Sequence, residues 1–307
     1  MAPQWRFWEH FLPVVGALKV DGHEVAAAVH GDDPDGPAVE GMVQGLTVAG
    51  AEVMVRDRKQ SAGRFVGDLT AEQWDAVVLC AEHLSPMNLV KPALRARGKN
   101  TPVLSMQHGL CQAAEAETKD WCDAFMLWGT LGGQFVASQG HATFPMCVTG
   151  TPRFDSYREE DAEDGGFLLA CAGHVNGQGG RCTEEWLEGV LKATPLDMRV
   201  IVKVHPNDRD GRGWTKWTEA TQGRVTVARY KDHPREYLRQ CSALYLDYPS
   251  TYWLEAKCFG KPVICDGQAE VLANRPIHDV LLAQGAAAVK NIVRAIQNEI
   301  ARVQNSE

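Results

Sequence analysis

The sequence predicts an α/β fold of two Rossmann-like, doubly wound domains facing each other across a cleft, and three observations carry that reading. Short apolar or β-branched runs alternate with amphipathic stretches through the first half of the chain. A polar, glycine-bearing break follows near residues 150–166. The same alternation then restarts and continues to about residue 265. At this spacing strands and helices build βαβ units, in which helices cover both faces of a mostly parallel sheet.

Taken in order, residues 6–21 read as an amphipathic helix ahead of the first strand. Strands are expected at Glu24–Val29, Glu52–Arg56, Asp75–Ala81, Pro102–Gln107, Asp123–Trp128 and Met146–Thr149. Helices are expected between them at Ala38–Ala49, Pro86–Ala96 and Leu131–Ser138. Gly150-Thr151-Pro152-Arg153 and the acidic run Glu159–Asp164 show no apolar period, so residues 152–166 read as a linker between a domain 1–151 and a domain 167–307. Beyond it, strands are expected at Phe167–Ala172, Arg199–Val204, Val225–Tyr230, Ala243–Asp247 and Pro262–Cys265. Helices are expected at Thr183–Ala193, Pro234–Gln240 and Ser250–Phe259, with a long last helix near Ala288–Val303 that can return to the first domain.

Composition narrows the function classes. The 307 residues are 45% hydrophobic and 23% charged, as in a folded globular protein. No apolar run approaches the roughly 20 residues of a membrane-spanning helix. Arg6, Glu9 and His10 interrupt the apolar start, which argues against a cleaved signal peptide. Nine cysteines without a CxxC pair, several inside apolar runs, suit a reducing cytoplasm. The formal charge of −8 disfavours a general polyanion binder. Cys171 and His174 have no second ligand pair nearby, so no metal site is expected.

Polar groups gather where strands end. Val103–Met106 runs into Gln107-His108-Gly109. An imidazole there, titrating near neutrality, suits a base that takes a proton from an attacking hydroxyl; Gln107 would serve the acceptor side. His30, with Asp32 and Asp33 just past the first strand, is a second acceptor-side candidate. In the second half, Val200–Val204 delivers His205, whose ring N–H groups suit a donor phosphate. Asp247-Tyr248-Pro249-Ser250-Thr251 turns from a strand into a helix, and hydroxyls, N–H groups and helix dipole there form an anion seat. Glu255 follows Thr251 by one turn, placed to accept from a ribose or sugar hydroxyl. The glycine-rich loop around Gly173 allows backbone to approach a ligand, although it matches neither dinucleotide nor P-loop fingerprints.

In order along the chain, these segments resemble the CDP-glycerol glycerophosphotransferase family and its capsule and cell-surface glycosyltransferase relatives. The resemblance rests on His108-Gly109, Gly150-Thr151-Pro152-Arg153-Phe154-Asp155, His205-Pro206, Asp247-Tyr248-Pro249-Ser250 with Glu255, and Gly260-Lys261-Pro262. Pro249 stands where the family has a first serine, which shifts the hydroxyl pair to Ser250-Thr251. The resemblance implies a GT-B fold without a required metal or cofactor and His108 as acceptor base. It also implies His205, Ser250, Thr251 and Arg153 on the donor side. The donor would be UDP- or CDP/CMP-linked, and the acceptor hydroxyl would belong to a glycan, a polyol or a modified DNA base.

Three other readings share these features. A virus-type transferase acting on hydroxymethylated DNA bases also uses a GT-B scaffold. A UDP-sugar 2-epimerase-like enzyme shares the fold and the phosphate turn, and needs no acceptor. A non-catalytic nucleotide-sugar binder keeps the fold alone.

Overall fold

The computed structural model describes residues 5–31, 37–57, 62–80, 87–110, 122–138, 145–171, 183–203, 214–228, 232 and 234–305. The chain divides into two compact units. The first comprises Gln4–Arg153 with His278–Glu307, and the second is Phe154–Ile277.

The first unit begins with α1 (Trp5–Val20), β1 (Ala26–Gly31), α2 (Pro37–Val48) and β2 (Glu52–Asp57). It continues with α3 (Ala62–Ala71), β3 (Val77–Cys80), α4 (Val90–Ala96), β4 (Val103–Met106), β5 (Ala124–Leu127), α5 (Thr130–Ser138) and β6 (Met146–Val148). β3-β4-β5-β6 form a four-stranded parallel sheet, while β1 and β2 pair parallel in a sheet of two. Every residue of β4 and β5 is buried, as a parallel sheet covered on both faces requires.

The two-residue period of a strand sorts these side chains. Val103, Phe125 and Leu127 pack with Phe65, Val66, Val90 and Leu94 of α3 and α4. Leu104, Met106, Ala124 and Met126 face the other way, onto Val14 of α1 and Ile292, Val293 and Ile296. Those last three belong to α11 (Gly285–Gln304), whose buried residues recur at helical spacing, so the last helix closes one face of the first unit's sheet. Burying each of these large apolar side chains contributes about 1.5–3 kcal/mol.

The second unit holds β7 (Phe167–Cys171), α6 (Glu184–Lys192), β8 (Arg199–Lys203), α7 (Trp214–Ala220) and β9 (Val225–Ala228). After them come α8 (Pro234–Gln240), β10 (Ala243–Leu246), α9 (Thr251–Cys258) and β11 (Val263–Cys265); α10 (Ile277–Val280) then begins the return of the chain to the first unit. Its five parallel strands lie in the order β11-β10-β7-β8-β9. From β7 the chain winds outward to β8 and β9, then returns to the opposite side of β7 for β10 and β11. That reversal is a topological switch point between β7 and β10, where the carboxyl ends of adjacent strands diverge and ligands of doubly wound sheets bind. Leu168, Ala170, Val200, Val202 and Val225 pack against Leu187 and Val190 of α6. Thr183 starts α6 as its N-cap, accepting from the Trp186 N–H at 3.1 Å.

Of residues 152–166, Phe154 onward belongs to the second unit and is tied into it at several points. Phe154 and Tyr157 are buried, with ring centroids 5.7 Å apart, and Tyr157 lies 5.1 Å from Phe259. The N–H of Glu163 donates to the Arg239 carbonyl and that of Gly165 to the Gln240 carbonyl. Lys261 Nζ donates to the Glu163 carbonyl. Two aromatic anchors thus hold a stretch whose remaining residues are mostly charged.

Candidate active site

The carboxyl edge of β4 is built first by Gln107. Its Oε1 accepts from the Trp128 N–H at 2.9 Å, and its Nε2 donates to the Gly109 carbonyl at 3.0 Å. The amide is therefore committed to the loop, and only 2% of Gln107 is exposed. A Cβ on Gly132 would come within 2.8 Å of Gln107 Oε1, so α5 can pack this close only through a glycine. Gln107 anchors the turn that carries His108.

His108 is 8% exposed. Its carbonyl accepts from Arg153 Nη1 at 3.2 Å. The Arg153 side chain is 1% exposed, and its Nε lies 3.7 Å from Glu9 Oε2 on α1. The guanidinium carbon sits 5.9 Å from the Trp128 ring centroid, a cation–π distance. The same ring stacks on His10 of α1, with centroids 5.6 Å apart and planes at 22°. His10 Nδ1 is 2.9 Å from Thr151 Oγ1, and that hydroxyl also accepts from the Arg153 N–H at 3.2 Å. Glu9, His10, Trp128, Thr151 and Arg153 thus form one polar layer beneath His108, inside the first unit.

Sequence reasoning missed four of these five residues. One signal was present: His10 stands one helical turn before Val14, on the apolar stripe of α1, where a buried polar side chain demands a partner. Its partner Thr151 is 141 residues away and cannot be read from local spacing.

His10 is wholly buried, and burial, reinforced by the nearby Arg153 and His108, holds its pKa well below the ordinary 6.5. The ring is therefore neutral in the folded chain, while the unfolded chain takes up a proton as pH falls through 6.5. Stability is full above that point and declines below it, by up to about 1.4 kcal/mol per pH unit from this group. Urea midpoints measured from pH 7 to pH 5 are expected to fall more steeply for the parent chain than for His10→Gln; parallel slopes would show that His10 does not carry the effect.

In the second unit, Ser250 is the N-cap of α9, with φ −133° and ψ 150°. Its Oγ accepts from the Tyr252 N–H at 3.3 Å, and its carbonyl accepts from the Trp253 N–H at 3.0 Å. Ser250 itself thus takes part of the N–H array expected to hold an anion. Thr251 opens the helix, and Glu255 is completely buried one turn on. β10 ends at Leu246, in register with Cys171 at the end of β7. The Ser250 turn therefore leaves the sheet from one of the two strands that flank the switch point. Beside it, Tyr245 donates to Asp266 Oδ2 at 2.6 Å. Burial first, and the Asp266 carboxylate second, push the phenol above its usual range.

The expected site residues thus fall into two groups: Gln107, His108 and Arg153 in the first unit, and Ser250, Thr251 and Glu255 in the second. His205, Gly173, Asp32 and Asp33 lie outside the described residues, as does the His30 side chain. β8 reaches Lys203, two residues short of His205, and β1 carries the His30 backbone opposite Arg56. Among the described residues, no three His, Cys, Asp or Glu side chains gather as a metal site. No helix of the described residues is long and apolar enough to cross a membrane.

The family described as capsule polysaccharide biosynthesis protein matches residues 175–271, which contain the Ser250 turn and Glu255. No curated protein sequence matches the chain. A Listeria monocytogenes structure described as a UDP-N-acetylglucosamine 2-epimerase superposes with a TM-score of 0.62 at 13% identity, covering 99% of this chain and 96% of the other. The lipopolysaccharide outer core galactosyltransferase WaaB, in its apo form, gives 0.53 at 15% identity, over 96% and 87%. The Anabaena protein HepE, in complex with UDP-glucose, gives 0.53 at 12% identity, over 97% and 96%. At these identities the likeness is one of fold: the chain is an α/β protein of the GT-B class, with two Rossmann-like units.

Proposed function

We propose that this chain transfers a glycosyl or polyol-phosphate group from a nucleotide-linked donor to an acceptor hydroxyl. One observation carries the reading. The Ser250–Thr251 turn, at the start of α9, leaves β10 at the switch point of its sheet and falls within the span that matches the capsule polysaccharide family. In this reading His108 accepts the acceptor proton. The α9 start, with His205, stabilises charge that builds on the departing phosphate, and this stabilisation is felt most in the transition state. Glu255, completely buried, presents no oxygen to a donor hydroxyl and is left out of the donor contacts. Transfer, rather than epimerisation, is favoured by the capsule-family match; the epimerase superposition bears on fold alone.

Calorimetry or thermal shift with CMP, CDP, UDP, GDP and their sugars identifies the donor class. Binding of one nucleotide series, with turnover only when an acceptor hydroxyl is supplied, is the expected result. Turnover of donor alone to an epimer would replace the reading with the epimerase one, and binding without turnover would leave a binding protein. Ser250→Ala is expected to lower stability by about 1 kcal/mol through the lost cap. It should also weaken donor binding about tenfold, the size of one hydrogen bond to a charged group. Unchanged donor affinity in Ser250→Ala would move the phosphate elsewhere.

A further inference from the structure

We infer that Arg153, backed by Glu9, His10, Thr151 and Trp128, is a positioning residue for His108 and not a donor ligand. The inference rests on the reading of His108 as the base. Three observations support it. First, the Arg153 side chain is 1% exposed, which leaves no guanidinium face for a phosphate to meet. Second, its Nη1 hydrogen bond goes to the main-chain carbonyl of His108, so a planar and rigid group fixes the peptide that aims the ring. Third, three of its four supports, Trp128, His10 and Thr151, are themselves held by further contacts.

Those supports interlock. The Trp128 ring under the guanidinium belongs to a residue held at both main-chain ends, its N–H by Gln107 Oε1 and its carbonyl by the Leu282 N–H. His10 stacks on that ring and reaches Thr151, which accepts from the Arg153 N–H. Glu9 supplies the facing negative charge at 3.7 Å, longer than a hydrogen bond, so it balances the cation and leaves the direction of the fork to the His108 carbonyl. Burying a cation is costly. Here it fixes one histidine at the edge of a sheet.

The test uses the full chain, labelled with 15N-histidine, free of ligand. His108 ring signals are assigned by their loss in His108→Ala. Arg153→Lys keeps the charge and loses the fork. It should shift or broaden the His108 signals, whereas Ser250→Ala should leave them in place. With UDP-glucose as donor probe, Arg153→Lys should bind as the parent does while UDP release falls about 100-fold, the scale of a misplaced catalytic group. In a His108→Ala background the same change should cost nothing more, because groups that act through one another are not additive. Unmoved His108 signals overturn the inference, as does weakened UDP-glucose binding with release at saturation intact, or a full extra loss in the double variant. If Arg153→Lys does not fold, Glu9→Gln carries the test: the His108 signals must move in the same sense by less, and unmoved signals overturn it. Full turnover in His108→Ala would remove the base assignment and with it this role; loss in His108→Ala beside unmoved signals in Arg153→Lys removes this role alone.

Discussion

Gly150→Ala is expected to lower the unfolding free energy by roughly 3 kcal/mol or more, from two additive causes. Gly150 has φ +78°, where a Cβ crowds its own backbone. The added Cβ would also meet the Ala283 carbonyl oxygen at 2.2 Å and its carbon at 2.8 Å. That carbonyl cannot simply withdraw, because it accepts from the Thr151 N–H at 3.1 Å. A parallel contact lies at Gly129, whose Cβ would stand 2.5 Å from the Asp279 oxygen. Main chain therefore docks on main chain where residues 279–283 cross the ends of β5 and β6. Gly22 is the control: its φ is +86° with nothing within 4 Å, so Gly22→Ala isolates the conformational cost at about 1 kcal/mol. Urea denaturation of the two variants measures the difference, and equal losses would show that the Ala283 contact yields at little cost.

Particular residues explain which parts of this molecule could be read from its sequence. β4, β5, β7 and β10 are apolar runs buried on both faces, so the runs alone place them. The helix α3 was not expected, because Gly63 and Gly67 interrupt its pattern and glycine is a poor helix former. α7 was not expected either, being a single seven-residue stretch with two threonines. Residues 152–166 read as linker because the acidic run outnumbers Phe154 and Tyr157, although those two rings seat the segment. The site divides in the same way. His108, Gln107 and Ser250 follow strands and are visible by position. The layer beneath His108 joins α1 to a loop 141 residues later, and only folding brings them together. The resemblance sets Arg153 among the donor residues through its motif; its burial, which the motif does not show, is what the proposed positioning role rests on.

The largest expected effect on chemistry is at His108. His108→Ala should lower turnover about 100- to 10,000-fold, the range for removing a positioned acid–base group, with donor affinity unchanged. The two parts of this expectation have separate origins. Affinity survives because, in the proposed mechanism, the donor phosphate is held at Ser250 and His205, not by the lost imidazole. Turnover falls because His108 is only 8% exposed and its peptide is fixed from two sides, through the Gln107 bond to Gly109 and the Arg153 bond to the His108 carbonyl. A water molecule cannot reproduce an acceptor held in that direction. His108→Gln separates geometry from basicity: it fills the space and can accept a hydrogen bond, but it has no titrating nitrogen at neutral pH. It should therefore be as inactive as the alanine variant. Measured with saturating donor and acceptor, a Gln variant that keeps most of the parent turnover would assign His108 to holding the acceptor, and the proton would have to leave through another group.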